Sequence, residues 1–246
     1  TAFLQETDRL EDVFSLYRPG SALSRLNRDG SLDVPPFELV ECLGIADAVH
    51  DATNGAFDPT IQPLWATYAE AYAAGGTVKG PMLEEARSRV GWSRLTVAPS
   101  RIAFARSGMA LTLNGIAQGY VADRVARMLE AQGLDRILID TGEVRALGGT
   151  SSDAPWSVSL PDGRAFRFRD RALATSAPLG TSFDTAETIG HILDPRTGLP
   201  APATARSVSV TAPTAALADA LSTGLCLLAG KAVEEAVGRL QDCRLV

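Results

Sequence analysis

The chain has 246 residues, 46 % of them hydrophobic and 21 % charged, enough to bury a sizeable core and too apolar for a disordered or low-complexity protein. Its formal net charge is −6 and no basic stripe interrupts it, which argues against a nucleic-acid-binding surface. Cys42, Cys226 and Cys243 are odd in number and far apart, so they read as small buried hydrophobes rather than a disulfide framework or zinc site. No run reaches the ~18 apolar residues of a membrane span.

Phe3, Leu10, Val13, Phe14 and Tyr17 predict an amphipathic first helix, closed by Arg18, Pro19 and Gly20. A polar stretch with a turn at 28–31 follows. Pro35 and Pro36 then lead into a helix over 37–53 that Asn54 and Gly55 end. Residues 56–60 form a loop, 61–80 a helix finishing in a Gly-Gly loop, and 82–90 a short helix. Short β-type runs then dominate, at 94–98, 101–105, 109–113, 136–140, 143–147, 156–160, 165–168, 171–175 and 207–211, and a last helix spans 214–229. Helices cluster early and strands in the middle. The expected class is therefore α+β, with antiparallel-rich sheets flanked by helices, rather than a βαβ repeat.

The stretch 112–120 runs from the 109–113 strand through Gly115 and Gly119 into a helix with Val121, Val125, Met128 and Leu129 on one face, stopped at Gly133. A strand that feeds a glycine-containing loop into a helix N-terminus leaves backbone N–H groups free for phosphate or carboxylate. Taken alone, it is equally a tight connection. In the last helix, Asp219 and Thr223 stand four residues apart, on one face of an otherwise alanine-, leucine- and glycine-rich segment. A carboxylate and a hydroxyl so placed are hard oxygen ligands suited to Mg²⁺. The alternative is a solvated Asp, with Thr223 bonded back to the helix.

His191 lies in a loop built from Asp194-Pro195 and Thr197-Gly198, where it either serves as a base near neutral pH or caps a turn shaped by Asp194 and Arg196. The other histidine, His50, reads as a surface residue. Thr175 and Ser176 end a strand, and Phe14 with Tyr17 offers an aromatic face above the polar segment 21–27. The sequence holds no nucleophile elbow, phosphate-binding Walker loop or CxxC pair.

In this order and spacing, five segments together resemble one family. They are Phe14-Ser15-x-Tyr17 with Ser21-x-Leu23-Ser24-x-Leu26-Asn27; Gly55-Ala56-Phe57-Asp58-Pro59-Thr60; Gly115-Ile116-Ala117-x-Gly119-Tyr120-x-x-Asp123; Ala174-Thr175-Ser176; and His191-Ile192-Leu193-Asp194-Pro195-Arg196-Thr197-Gly198. A sixth, Ala218-Asp219-Ala220-Leu221-Ser222-Thr223, completes a match to the ApbE-type FAD:protein FMN transferases over roughly residues 10–230. The resemblance implies a single two-lobed, T-fold-like domain over 1–246. It also implies Mg²⁺-dependent cleavage of FAD, with FMN passed to a Thr or Ser hydroxyl of a partner flavoprotein and AMP released.

By the same resemblance, Tyr17 stacks on the isoalloxazine ring and Ala56, Phe57 and Asp58 line the flavin pocket. Thr112 to Gln118 wrap the pyrophosphate, and Leu193 touches a ring edge. Asp219, Thr223, the Gly115 carbonyl and Ser222 hold Mg²⁺, and His191 is the base for the acceptor hydroxyl, beside Asp219 as the second catalytic residue. The family pattern departs in four places. Thr112 stands where the family has Asp, and Gln118 where it has an acidic residue or Lys. Gly142-Glu143-Val144 replaces Gly-Gly-Asp, and Ala177 replaces Gly. A family strand bearing Met-Gly-Thr would precede Thr1. Export to the periplasm or the outer face of a membrane is expected from the family alone, since no leader is visible.

Overall fold

The computed structural model describes residues 2–202 and 207–246. The chain opens with α1 (Ala2–Phe14), α2 (Ala22–Asp29), β1 (Ser31–Asp33) and α3 (Phe37–Ala52). Next come α4 (Gln62–Ala73), α5 (Gly80–Ser88), β2 (Leu95–Ala98), β3 (Arg101–Phe104) and α6 (Ala117–Glu130). The strands β4 (Ile137–Asp140), β5 (Val144–Leu147), β6 (Trp156–Ser159), β7 (Ala165–Phe168), β8 (Ala172–Ser176) and β9 (Val208–Ala212) follow. Then α7 (Ala215–Leu225), α8 (Lys231–Gly238) and β10 (Arg244–Leu245) complete the order.

Five strands form the largest sheet, in the order β10-β9-β8-β5-β4, and every pairing in it is antiparallel. A three-stranded sheet β1-β3-β2 and a β6-β7 hairpin, both antiparallel, account for the other named strands. The expected α+β, antiparallel-rich class is what the chain forms.

Helices α6 and α7 cover the large sheet, α6 against β4 and β5 and α7 against β8 and β9, while α1 and α3 close over them from the far side. The composition of α7 follows from this position. A helix flanked by a sheet and by other helices is apolar all round, and Ala215, Ala216, Ala218, Ala220 and Leu221 are all fully buried. Small side chains let its neighbours approach closely. At Gly119 a Cβ would stand 2.3 Å from the Ala215 carbonyl oxygen, a separation that only glycine permits. Beside this crossing, Asp123 of α6 accepts the backbone N–H groups of Ala215 and Ala216, both at 2.9 Å. A carboxylate is thus fixed at the positive end of the α7 dipole.

The main apolar core runs from α1 through α3, α6 and α7 to the large sheet. A second, smaller cluster joins Leu64, Tyr68, Ala86, Val90 and Leu193, with Trp65, Tyr72 and Phe183 packed on it.

The structure corrects the expected strand over 109–113. Its alternation is real, since Met109, Leu111 and Leu113 are buried, but no strand among the described residues pairs with it. The Asn27 side chain instead supplies both halves of a ladder step. Its Nδ2 donates to the Leu111 carbonyl at 2.8 Å and its Oδ1 accepts the Leu111 N–H at 2.7 Å. The Thr112 N–H donates to the Pro59 carbonyl at 2.9 Å.

The polar segment after the first helix is itself helical. Ser21 caps α2 by accepting the Ser24 N–H at 3.0 Å, and Gly30, at φ +76°, ends it. α7 stops at Leu225, short of the expected 229, and α8 and β10 were not anticipated. His50 is not a surface residue. It is half-buried, its ring stacks on Trp92 with centroids 5.6 Å apart, and its Nδ1 lies 2.9 Å from the Phe57 carbonyl.

Candidate functional site

A cavity of about 350 Å³ lies between the main core and the smaller cluster, at the lower end of ordinary ligand pockets. Its walls come from the loop before α4, the turn into α6, the β4–β5 turn, the end of β8, the loop around His191, and α7.

Asp219 and Thr223 both line it, so the one-face spacing read from the sequence does bring them together. Asp219 is only 4 % exposed, and its Oδ2 accepts the Gly119 N–H at 3.2 Å. The amides expected to be free at the N-terminus of α6 are therefore partly engaged, because Ala117 also donates to the Leu113 carbonyl at 2.8 Å. Burial pushes the Asp219 carboxyl up to about 7, and the nearby Asp123 charge adds to the rise. Gly115 lies against the same helix, where a Cβ would stand 3.1 Å from Thr223 Oγ1.

Ser222 is placed differently. Its hydroxyl is fully buried, bonded to the Asp219 carbonyl at 3.0 Å and to Ser176 Oγ at 2.7 Å, and it does not line the cavity. Three residues after Asp219, it turns into the wall, while Thr223, four residues after, faces inward. Ser176 Oγ also lies 3.1 Å from Thr223 Oγ1, tying the end of β8 to the site.

Tyr17, expected to stack on a ring, is 84 % exposed and is not among the cavity walls. Just after α1 the Tyr17 N–H donates to Ser15 Oγ at 3.1 Å. The aromatic rings that do line the cavity are Phe57 and Trp65. Trp65 is held edge-on to Phe183 with centroids 5.4 Å apart. The sequence reading passed over Trp65 because an aromatic on an alanine-rich helix carries no motif of its own.

Ala56, Phe57, Asp58, Thr112, Gln118 and Leu193 all line the cavity. Both Asp58 oxygens are already engaged, however. Thr60 donates to its Oδ1 from both backbone, at 2.8 Å, and side chain, at 2.6 Å, and the Trp92 N–H reaches its Oδ2 at 3.2 Å. Thr112 Oγ1 accepts the Asn114 N–H at 3.3 Å and so shapes the loop. Gln118 reaches across to the Thr141 carbonyl at 3.5 Å.

His191 lines the cavity with Nδ1 2.9 Å from the Thr181 carbonyl. A carbonyl only accepts, so Nδ1 carries the hydrogen and Nε2 keeps a lone pair, the tautomer a general base needs. Asp194 and Arg196 form the turn, with Arg196 Nε and Nη2 both 2.8 Å from the two Asp194 oxygens.

Glu143 was singled out in the sequence only as a departure from a pattern. The structure puts it in the cavity wall, 8 % exposed, with Oε2 buried and without a hydrogen-bond partner among the described residues. Burial and repulsion from Asp219 push its carboxyl up to about 9.

No group of three or more His, Cys, Asp or Glu that could hold a metal occurs among the described residues. A cation at this site would therefore rest on hard oxygen donors of mixed kind, which is what Mg²⁺ takes. The residues fit such an ion. A buried carboxylate beside a hydroxyl, with a second carboxylate oxygen unpaired, is a site short of positive charge. No described helix is long and apolar enough to cross a membrane.

The ApbE family model matches residues 1–245. A FAD:protein FMN transferase of Vibrio cholerae is 31 % identical over 255 residues, covering 94 % of this chain and 75 % of that protein. The crystal structure of Pseudomonas stutzeri flavinyl transferase ApbE in its apo form superposes with a TM-score of 0.83 at 25 % identity, covering 97 % of this chain and 78 % of that one. That of the ApbE protein of Thermotoga maritima does so with a TM-score of 0.82 at 28 % identity, covering 96 % and 80 %.

Proposed function

The chain belongs to the ApbE family, and from that premise we propose that it is a FAD:protein FMN transferase. It cleaves the FAD pyrophosphate with Mg²⁺ and passes FMN to a Thr or Ser hydroxyl of a partner flavoprotein, releasing AMP. One observation carries this reading. Asp219, Thr223, Gly115 and His191 all line one cavity, with Gly115 against Thr223, which supports reading a cation site and a base in the same pocket.

When bound, Mg²⁺ would be held by the Asp219 carboxylate, the Thr223 hydroxyl and the Gly115 carbonyl and would neutralise charge developing on the phosphate oxygens. The residues themselves supply position and proton transfer. The Gly119 N–H fixes the Asp219 carboxylate. Ser176 orients Thr223. Trp65 and Phe57 give apolar faces for a planar ring, in place of Tyr17. His191 Nε2 takes the proton of the acceptor hydroxyl while Nδ1 stays anchored on the Thr181 carbonyl.

The test is intact-mass analysis of a flavoprotein acceptor domain incubated with this protein, FAD and Mg²⁺. The expected result is a gain of one esterified FMN, lost with Asp219→Ala. Free FMN and AMP with an unlabelled acceptor would make the protein an FAD pyrophosphatase instead, an outcome to which Thr112 and Gln118, both in the cavity wall, are relevant. Intact FAD would overturn the reading.

A further inference from the structure

Glu143 lines the cavity with a buried oxygen, Oε2, that has no hydrogen-bond partner among the described residues. The turn between β4 and β5 sets its place. Gly142 sits at φ +101°, a conformation glycine tolerates, and the Thr141 N–H donates to the Glu143 carbonyl at 3.2 Å. The side chain then enters the cavity between α7 and β8, where only the Thr175 backbone offers it a hydrogen bond and Oε2 has no partner among the described residues.

Among the described residues, neither Lys nor Arg lines the cavity. Asp58 is satisfied by Thr60 and Trp92, which leaves Asp219 and Glu143 as two buried acids facing a space meant, on the reading above, for a pyrophosphate. Two carboxylates and a polyanion in one pocket repel one another, and a cation between them offsets that repulsion.

We propose that Glu143 is a second carboxylate ligand of the cation site, its free Oε2 completing the donor set of Asp219, Thr223 and Gly115. The proposal rests on the cation-dependent reading and adds one residue to it. A buried neutral glutamic acid that donates to phosphate would be replaced without loss by Gln, which has the same shape and can donate. A ligand would not, because Gln has no charge to offer.

The experiment is calorimetric titration of metal-free protein with Mg²⁺ in the absence of flavin, on wild type, Glu143→Gln and Asp219→Asn, with melting temperatures recorded before and after metal. The expected result is a dissociation constant at least about tenfold weaker for Glu143→Gln, no less than the loss of an outer-shell partner of a metal ligand typically costs. Mg²⁺ should raise the melting temperature of Glu143→Gln less than that of wild type. An unchanged dissociation constant in Glu143→Gln, with binding lost in Asp219→Asn, would overturn this inference and leave the cation-dependent reading standing. A lower melting point for metal-free Glu143→Gln with normal affinity would assign Glu143 a purely structural role and overturn it too. If wild type takes up no Mg²⁺, both the inference and the metal dependence fall.

Discussion

At the scale of single residues, the site is defined by which polar atoms have partners and which do not. His191 has one ring nitrogen spent on the Thr181 carbonyl and one left over. His191→Ala should therefore lower kcat for FMN transfer by about 10²–10⁴-fold, the usual worth of a general base, with FAD affinity nearly unchanged. Single-turnover transfer beside equilibrium flavin binding would separate the two, and an equal loss in both would assign His191 to binding instead.

Asp219 gives a pH dependence. Its carboxyl is pushed up to about 7 by burial, against about 3.9 in an unfolded chain. Between those values the native state holds more protons than the unfolded state, so stability falls as pH rises. In EDTA the melting temperature should drop between about pH 5 and about pH 8, and Asp219→Asn should flatten that drop. A melting curve indifferent to pH in EDTA would contradict the assignment.

At the scale of elements, the site depends on how α6 and α7 cross and on what holds the segment leading into α6. The crossing needs Gly119 for space and Asp123 for the amides of Ala215 and Ala216. The leading segment has no strand beside it among the described residues and depends on Asn27. Asn27→Ala would leave the buried Leu111 N–H and carbonyl unanswered, and should cost about 2–3 kcal/mol of stability in a urea titration. A loss below about 0.5 kcal/mol, typical of surface substitutions, would mean that water takes over both groups.

This element shows where sequence reasoning stops. The Ser-x-Leu-Ser-x-Leu-Asn run was visible, and so was the alternation of Met109, Leu111 and Leu113. That an Asn 84 residues upstream of Leu111 would stand in for a strand was not, because nothing local in either segment records the other.

At the scale of the whole molecule, the cavity lies where the main core and the smaller cluster around Leu64, Tyr68 and Leu193 meet. Ala177, Gly180, Thr181 and His191 bring one loop into its wall. FAD with Mg²⁺ should then protect the 177–191 segment from limited proteolysis, with cleavage sites mapped by mass spectrometry. Undiminished cutting there at saturating ligand would place the flavin elsewhere. The meeting of the two clusters also explains the fate of Tyr17. It belongs to a quoted motif, but the chain leaves α1 outward, and Trp65, from the smaller cluster, supplies the aromatic wall instead.

The sequence by itself determined whatever is periodic or contiguous. It placed the amphipathic helices, most of the strands, the α+β class, and the pairing of Asp219 with Thr223 on one helix face, since a helix fixes the spacing of residues four apart whatever surrounds it. Tertiary structure decided everything that depends on burial. It turned Ser222 into the wall, satisfied Asp58, drew His50 onto Trp92, and left Glu143 facing Asp219 with an unpaired oxygen. The physical reason is that a polar atom's chemistry follows from the partners and the dielectric around it, and those come from segments far apart in the chain.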